Sequence, residues 1–154
     1  VRQMAFYDSL TKLPNRRLLI DRLSRTIATS KRNACYGALM FLDLDNFTPL
    51  NDKQGHDTGD LLLAEAARRI AGCVRAEDTV ARFGGDEFVV MLELNTDKKV
   101  SITQATQVAE KIRAALEKTY SLPVFQSDGS STMIEHLCTS SIGIAMFINH
   151  ETPK

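Results

Sequence analysis

Residues 84–88 read Gly-Gly-Asp-Glu-Phe, between the apolar runs Thr79-Val80-Ala81 and Phe88-Val89-Val90-Met91-Leu92. Two β-prone stretches joined through Gly-Gly predict a tight hairpin, because glycine accepts the positive φ angles such turns require. Glycines also let a ligand approach the backbone closely. Adjacent carboxylates, here Asp86 and Glu87, can hold a hard cation such as Mg²⁺. Together these features suit a nucleoside triphosphate bound through a metal. A solvated hairpin turn is the alternative, and the other acidic positions weigh against it.

Those positions lie upstream, where Ala38-Leu39-Met40-Phe41-Leu42 leads into Asp43-Leu44-Asp45-Asn46-Phe47. A near-continuous apolar run of this length predicts a strand buried on both faces. It ends in Asp43 and Asp45, alternate residues on the same side of a strand. Carboxylates at the end of a buried strand are costly unless paired or bound to metal. The alternative is that one caps a following helix and the other is exposed. Next come Asn51 and Asp60, flanking a predicted loop marked by Gly55 and Gly59. Asp57 and Thr58 are candidate caps for a helix starting near Asp60. An amide and a carboxylate can read the donor edge of guanine. Asp60 can equally serve as a favourable charge in a first helical turn.

The elements that must carry these residues follow from periodicity. Helices are predicted at 15–31 (Leu19, Leu23 and Ile27 on one face), 60–74 (Leu63, Ala67, Ile70, Val74) and 102–119 (Ile102, Ala105, Ala109, Ile112, Leu116). Strands are predicted at 36–43, on either side of the Gly84-Gly85 turn, at 122–125 and at 135–147, with a turn at Asp128-Gly129-Ser130-Ser131. The βαββαβ order predicts an α+β architecture of the ferredoxin-like or palm type, a mixed sheet with flanking helices.

Composition narrows the class. At 154 residues the chain is expected to form one domain with a proper core. Apolar residues make up 44% and charged residues 25%, an ordinary balance for a soluble domain. The formal net charge of +0 supplies no global field for nucleic acid. Cys35, Cys73 and Cys138 lack metal-ligand spacing and suit a reduced, cytoplasmic setting. No apolar stretch reaches transmembrane length, so direct membrane contact is not expected from this domain.

These motifs, in this order, resemble the GGDEF domain family, the diguanylate cyclases. The matching stretches are Asp8-Ser9-Leu10-Thr11-Lys12-Leu13-Pro14-Asn15-Arg16, Phe41 to Phe47, Asn51-Asp52, Gly55-His56 with Gly59-Asp60, Gly84 to Phe88, and Ser141-Ile142-Gly143-Ile144-Ala145. The resemblance implies a palm-type fold and the condensation of two GTP molecules into cyclic di-GMP. It implies metal binding, of Mg²⁺ or Mn²⁺, by Asp43, Asp86 and the Leu44 carbonyl, with Glu87 assisting catalysis beside Asp86. It further implies that Gly84 and Gly85 lie against the phosphates and that Asn51 and Asp60, with Phe47, bind the substrate. Arg75-Ala76-Glu77-Asp78, with five residues between Asp78 and Gly84, matches the family's product-inhibition site. As a bare pattern, Arg75 and Asp78 would be only a surface ion pair. Because each domain holds one GTP, the resemblance also implies a homodimer, and family members commonly carry sensory or phosphodiesterase domains.

Two departures stand out. Thr48, followed by Pro49, occupies the position where the family has a phosphate-contacting lysine. The family's final helix, with a further lysine and arginine, is expected to be missing, as in a piece cut from a larger signalling protein. Both departures favour an alternative function: a catalytically weak module that binds GTP or cyclic di-GMP and regulates an attached domain.

Overall fold

The computed structural model describes residues 5–148, without the side chains of 29–33 and 148. The expectation about a final helix concerns the chain end and lies outside the described residues. The elements run α1 (Arg16–Asn33), β1 (Tyr36–Leu44), α2 (Phe47–Gln54), α3 (His56–Ala71), β2 (Thr79–Gly84), β3 (Glu87–Glu93), α4 (Lys98–Leu116), β4 (Tyr120–Phe125), β5 (Ser131–His136) and β6 (Ser140–Ile148).

The four-stranded sheet has the order β2-β3-β1-β6. Every pairing in it is antiparallel, where a mixed sheet was expected. This is the ferredoxin-like arrangement: β1 and β2 are connected through helices and separated by β3, which pairs with both. The central strand β1 alternates cleanly. Ala38, Met40, Leu42 and Leu44 are buried on the face covered by α3 and α4. On the other face α1 covers Leu39 together with Ala81, Val89 and Met91 through Leu19 and Leu23, but Phe41 is 49% exposed. The expectation of a strand buried on both faces therefore holds for only part of its length, because one helix cannot span the whole outer face.

Each helix buries the stripe that its period dictates. α3 sets Leu63, Ala67 and Ile70 into the core, and α4 sets Ala105, Ala109, Ile112 and Leu116 there. α4 begins four residues before the expected start, because Asp97 caps it by accepting from the Val100 amide at 2.9 Å. Ile102, expected on the buried stripe, is exposed, and Ser101 is buried in its place.

The expected strand 135–147 is divided. β5 pairs with β4 as a separate two-stranded hairpin, and β6 begins after a break at residues 137–139 and pairs with β1. This hairpin is pinned to α3 by Arg69. Its guanidinium lies 3.7 Å from the Tyr120 ring and donates to the Ala115, Lys118 and Thr119 carbonyls. Cys138 is buried, while Cys35 and Cys73 are half-buried.

Candidate active site

The end of β1 and the β2–β3 turn come together because β1 and β3 are neighbours in a fixed register. Asp43 stands directly opposite Glu87. The Leu44 amide donates to the Asp86 carbonyl at 3.3 Å, tying the turn to the strand end. Like charges directly opposite one another destabilise a strand pair. Yet among the described residues no lysine or arginine pairs with Asp43, Asp86 or Glu87. Burial first, and then the charges of Asp43 and Asp45, hold the Asp86 carboxyl above its ordinary value, against a hydrogen bond from its own amide. Asp45 is tethered differently, accepting from the Thr139 and Ser141 hydroxyls at 2.6 and 3.0 Å.

Among the described residues no three His, Cys, Asp or Glu side chains form a ready-made metal cage. The donor set still fits Mg²⁺, which keeps several waters and is typically held by one or two carboxylates plus the substrate's phosphates. Asp43 and Glu87 are exposed and Asp86 is partly buried, and carboxylates grouped without a compensating charge are the electrostatic counterpart of such a cation.

The turn itself is open. Gly85 and Asp86 form a two-residue connection between Gly84 and Glu87. Gly84 has φ 142° and Gly85 has φ 49°, conformations that L side chains rarely adopt, and a Cβ at either would meet nothing within 4 Å. Bare backbone with empty space above it is what an approaching phosphate group requires.

Asn51 and Asp60 lie on two successive helices, α2 and α3, where a loop was expected. α2 runs through Thr48 and Pro49, which lie exposed in its first turn, where proline's missing N–H leaves nothing unsatisfied. α3 starts at His56, four residues before the expected start. Asp57 and Thr58 are therefore not caps: Gly55 occupies the cap position with no side-chain bond, and Thr58 is a buried helical residue whose hydroxyl donates to the Pro123 carbonyl at 2.8 Å. Gly59 is also helical, and it is there for space. A Cβ at Gly59 would collide with Asn51 Oδ1 and lie 3.4 Å from Phe47 Cε1. Phe47 is half-buried and packs against two core clusters, anchoring the start of α2. Asp60 is exposed in the second turn of α3, beyond the first-turn position expected for it.

Arg75 and Asp78 do not form a simple surface pair. The Asp78 side chain is only 3% exposed. It accepts from the Arg75 amide at 2.9 Å and from the Glu93 amide at 3.1 Å, which fastens the α3–β2 connection to the end of β3. The half-exposed Arg75 guanidinium donates to the Glu93 carbonyl at 2.7 Å and lies 3.3 Å from Glu77. Arg75 and Asp78 line a cleft of about 310 Å³, with Leu92 and Val108 as an apolar wall and Lys111 as a second cation.

Arg82 and Asp8 were not singled out as site residues from the sequence. Arg82 donates through Nε to the Gly85 carbonyl at 3.0 Å and through Nη1 to Asp8 Oδ1, also at 3.0 Å. The N-terminal segment is thereby clamped to the turn. The available signal was Asp8 within the Asp8-Ser9-Leu10-Thr11 stretch, a carboxylate beside a threonine in a turn-forming segment.

Comparison with known proteins gives the family and the fold. The family model described as "Diguanylate cyclase, GGDEF domain" matches residues 5–154. The bifunctional diguanylate cyclase/cyclic di-GMP phosphodiesterase MucR of Pseudomonas aeruginosa is 42% identical over 94% of this chain and 19% of its own length. The diguanylate cyclase TpbB of the same species is 39% identical over 97% of this chain and 32% of its own. The chain thus spans a fifth to a third of these relatives. The solved GGDEF domain of TpbB superposes with a TM-score of 0.75 at 38% identity, covering 92% of this chain and 75% of that one. The GGDEF domain of DgcB from Caulobacter crescentus, solved with c-di-GMP, gives 0.78 at 27% identity, covering 99% and 83%. With the signature on an open turn facing the end of β1, and the family model matching from residue 5 onward, this chain belongs to the GGDEF domain family of diguanylate cyclases.

Proposed function

We propose that this chain is a diguanylate cyclase module that joins two GTP molecules into cyclic di-GMP. The observation that carries the reading is the meeting of Asp43, Asp86 and Glu87 across the β1–β3 register, none of them salt-bridged to a lysine or arginine among the described residues, beside an open Gly84-Gly85 backbone. In each half-reaction a ribose 3′-oxygen attacks the α-phosphorus of the other GTP. The bond to the bridging oxygen breaks, pyrophosphate leaves, and the hydroxyl proton is given up.

Such phosphoryl chemistry asks a protein chiefly for positioning and charge neutralisation. Asp43, Asp86 and the Leu44 carbonyl are the groups that would hold Mg²⁺ or Mn²⁺. When bound, the metal lowers the pKa of the attacking hydroxyl and neutralises charge on the phosphates. Glu87 stands opposite Asp43 and supports the metal and acceptance of the hydroxyl proton. Gly84 and Gly85 receive the phosphates, while Asn51 and Asp60 select guanine beside Phe47.

One GTP per domain requires two domains face to face, so a homodimer is part of the mechanism. The Arg75 and Asp78 cleft is the product-binding site for feedback inhibition. MucR's name joins a cyclase to a phosphodiesterase in a chain of which this one matches 19%. That supports attached regulatory or phosphodiesterase domains here. No helix among the described residues is long and apolar enough to cross a membrane.

The test is incubation with GTP and Mg²⁺ followed by chromatography for cyclic di-GMP. Product from the native sequence and none from Asp86→Ala supports the cyclase. GTP or cyclic di-GMP binding without any turnover would favour the regulatory module instead.

A further inference from the structure

Asn51 lies near the end of α2 and His56 opens α3, and the two side chains meet around Gly55. Asn51 Nδ2 lies 2.9 Å from His56 Nδ1. An amide nitrogen only donates, so in this contact the ring nitrogen is the acceptor. The other end of the same amide is packed against α3. Oδ1 lies so close to Gly59 that the space for a Cβ is already taken. His56, Gly59 and Asp60 are spaced i, i+3 and i+4 and therefore share one face of α3. One helical face thus holds the amide nitrogen, makes room for the amide oxygen and carries a carboxylate at Asp60.

We infer that His56 is a positioning residue for base recognition, holding the Asn51 amide so that its oxygen, and not its nitrogen, is offered alongside Asp60. The inference rests on the reading of Asn51 and Asp60 as the guanine-selecting pair. Guanine presents N1–H and an N2 amino group, all donors on one edge. An edge made of the Asn51 oxygen and the Asp60 carboxylate contains only acceptors and suits those donors. The terminal torsion of asparagine is broad and two-fold. Without an acceptor at residue 56, nothing among the described hydrogen bonds holds the amide the right way round. Turned over, it would set an NH₂ group against the N2 amino group. The acceptor on His56 therefore contributes to specificity without touching the nucleotide.

The experiment is titration calorimetry of the full chain with GTP and with inosine triphosphate, whose base lacks only the N2 amino group. The native protein, Asn51→Ala, His56→Ala and His56→Gln are compared. His56→Ala is expected to shrink the preference for GTP over inosine triphosphate about fivefold, the worth of one well-placed hydrogen bond, while leaving inosine triphosphate affinity nearly unchanged. His56→Gln, which supplies an amide oxygen as acceptor, is expected to recover part of the preference. If Asn51→Ala shrinks the preference and both His56 variants keep it, the positioning role is overturned and the guanine reading stands. An equal loss in His56→Gln and His56→Ala would also overturn it, since the acceptor would then not matter. If Asn51→Ala itself leaves the preference intact, the guanine reading fails, and the inference with it.

Discussion

Arg82 bridges Asp8 and the signature turn across 74 positions of sequence: Nη1 lies 3.0 and 3.2 Å from the two Asp8 oxygens, and Nε donates to the Gly85 carbonyl at 3.0 Å. Both side chains are mostly buried, at 15% and 18% exposure. The Asp8 carboxylate also accepts from the Thr11 amide and hydroxyl, each at 2.8 Å. The Gly84-Gly85 turn, whose glycines impose little rigidity of their own, is thus held from outside by this guanidinium on one side and by the Leu44 amide on the Asp86 carbonyl.

The first prediction concerns that bridge and pH. Burial raises the Asp8 carboxyl, but the Thr11 hydrogen bonds and the Arg82 charge outweigh it and hold the group below its ordinary value. A depressed folded-state pKa means stability that is present above the unfolded value, near 3.8, and lost as pH falls through the lower folded value. Asp8→Asn should therefore destabilise the fold by about 1–3 kcal/mol at neutral pH, leaving Arg82 uncompensated. The gap from the native protein should narrow as pH drops below about 4. Urea unfolding at several pH values checks this, and a gap independent of pH would dissociate Asp8 from the bridge's charge.

Asp86 has the opposite sign. Its carboxyl is raised by burial and by Asp43 and Asp45. An acid with a raised folded-state pKa lowers stability as pH rises through the window between its unfolded and folded values, because there the native state binds the extra proton. Asp86→Asn should therefore melt higher than the native protein in metal-free buffer at neutral pH, while cyclic di-GMP formation falls by about 10²-fold or more. Added Mg²⁺ and GTP should raise the native melting temperature more than the variant's. A variant that is less stable and fully active would remove Asp86 from the metal site.

How much of this was legible in the sequence depends on the range over which the signal acts. The apolar run of β1, the Gly84-Gly85 hairpin and the stripe of α4 are local patterns, and they survive in the structure. α2 was missed because Leu50 is its sole fully buried residue, so an eight-residue helix has almost no apolar period to read. The start of α3 was missed because Asp57, Thr58 and Gly59 look like cap and loop chemistry. In fact Thr58 reaches Pro123 and Gly59 clears Asn51, both tertiary demands. The Arg82–Asp8 bridge spans too much sequence for any period or turn rule. The division of residues 135–147 into β5 and β6 reflects a change of pairing partner, which β propensity does not encode.

Feedback gives the third prediction. Arg75→Ala should raise the cyclic di-GMP concentration needed for half-inhibition at least about tenfold, or about 1.4 kcal/mol, with basal turnover retained. Asp78→Ala is a poorer probe, because it would also release the Arg75 and Glu93 amides that its buried carboxylate holds. Unchanged product affinity in Arg75→Ala by calorimetry would confine Arg75 to its bonds with the Glu93 carbonyl and Glu77.

The last prediction sets helix propensity against the site. Gly59 is buried inside α3, and alanine is ordinarily better than glycine in a helix by about 1 kcal/mol. The backbone offers no obstacle, since Gly59 is not among the positive-φ glycines. The obstacle is Asn51, whose Oδ1 occupies the space a Cβ would need, with its Cγ 3.2 Å and Phe47 Cε1 3.4 Å from that point. Gly59→Ala should therefore leave thermal stability within about 1 kcal/mol of native, because the helix gain offsets the displaced contacts. GTP affinity should fall about tenfold as Asn51 is pushed out of register with Asp60. Differential scanning calorimetry and GTP titration on the same sample separate the two effects. A stabilised variant with native GTP affinity would mean that Asn51 can move aside without leaving the base-reading position, and that the close approach at Gly59 is packing alone.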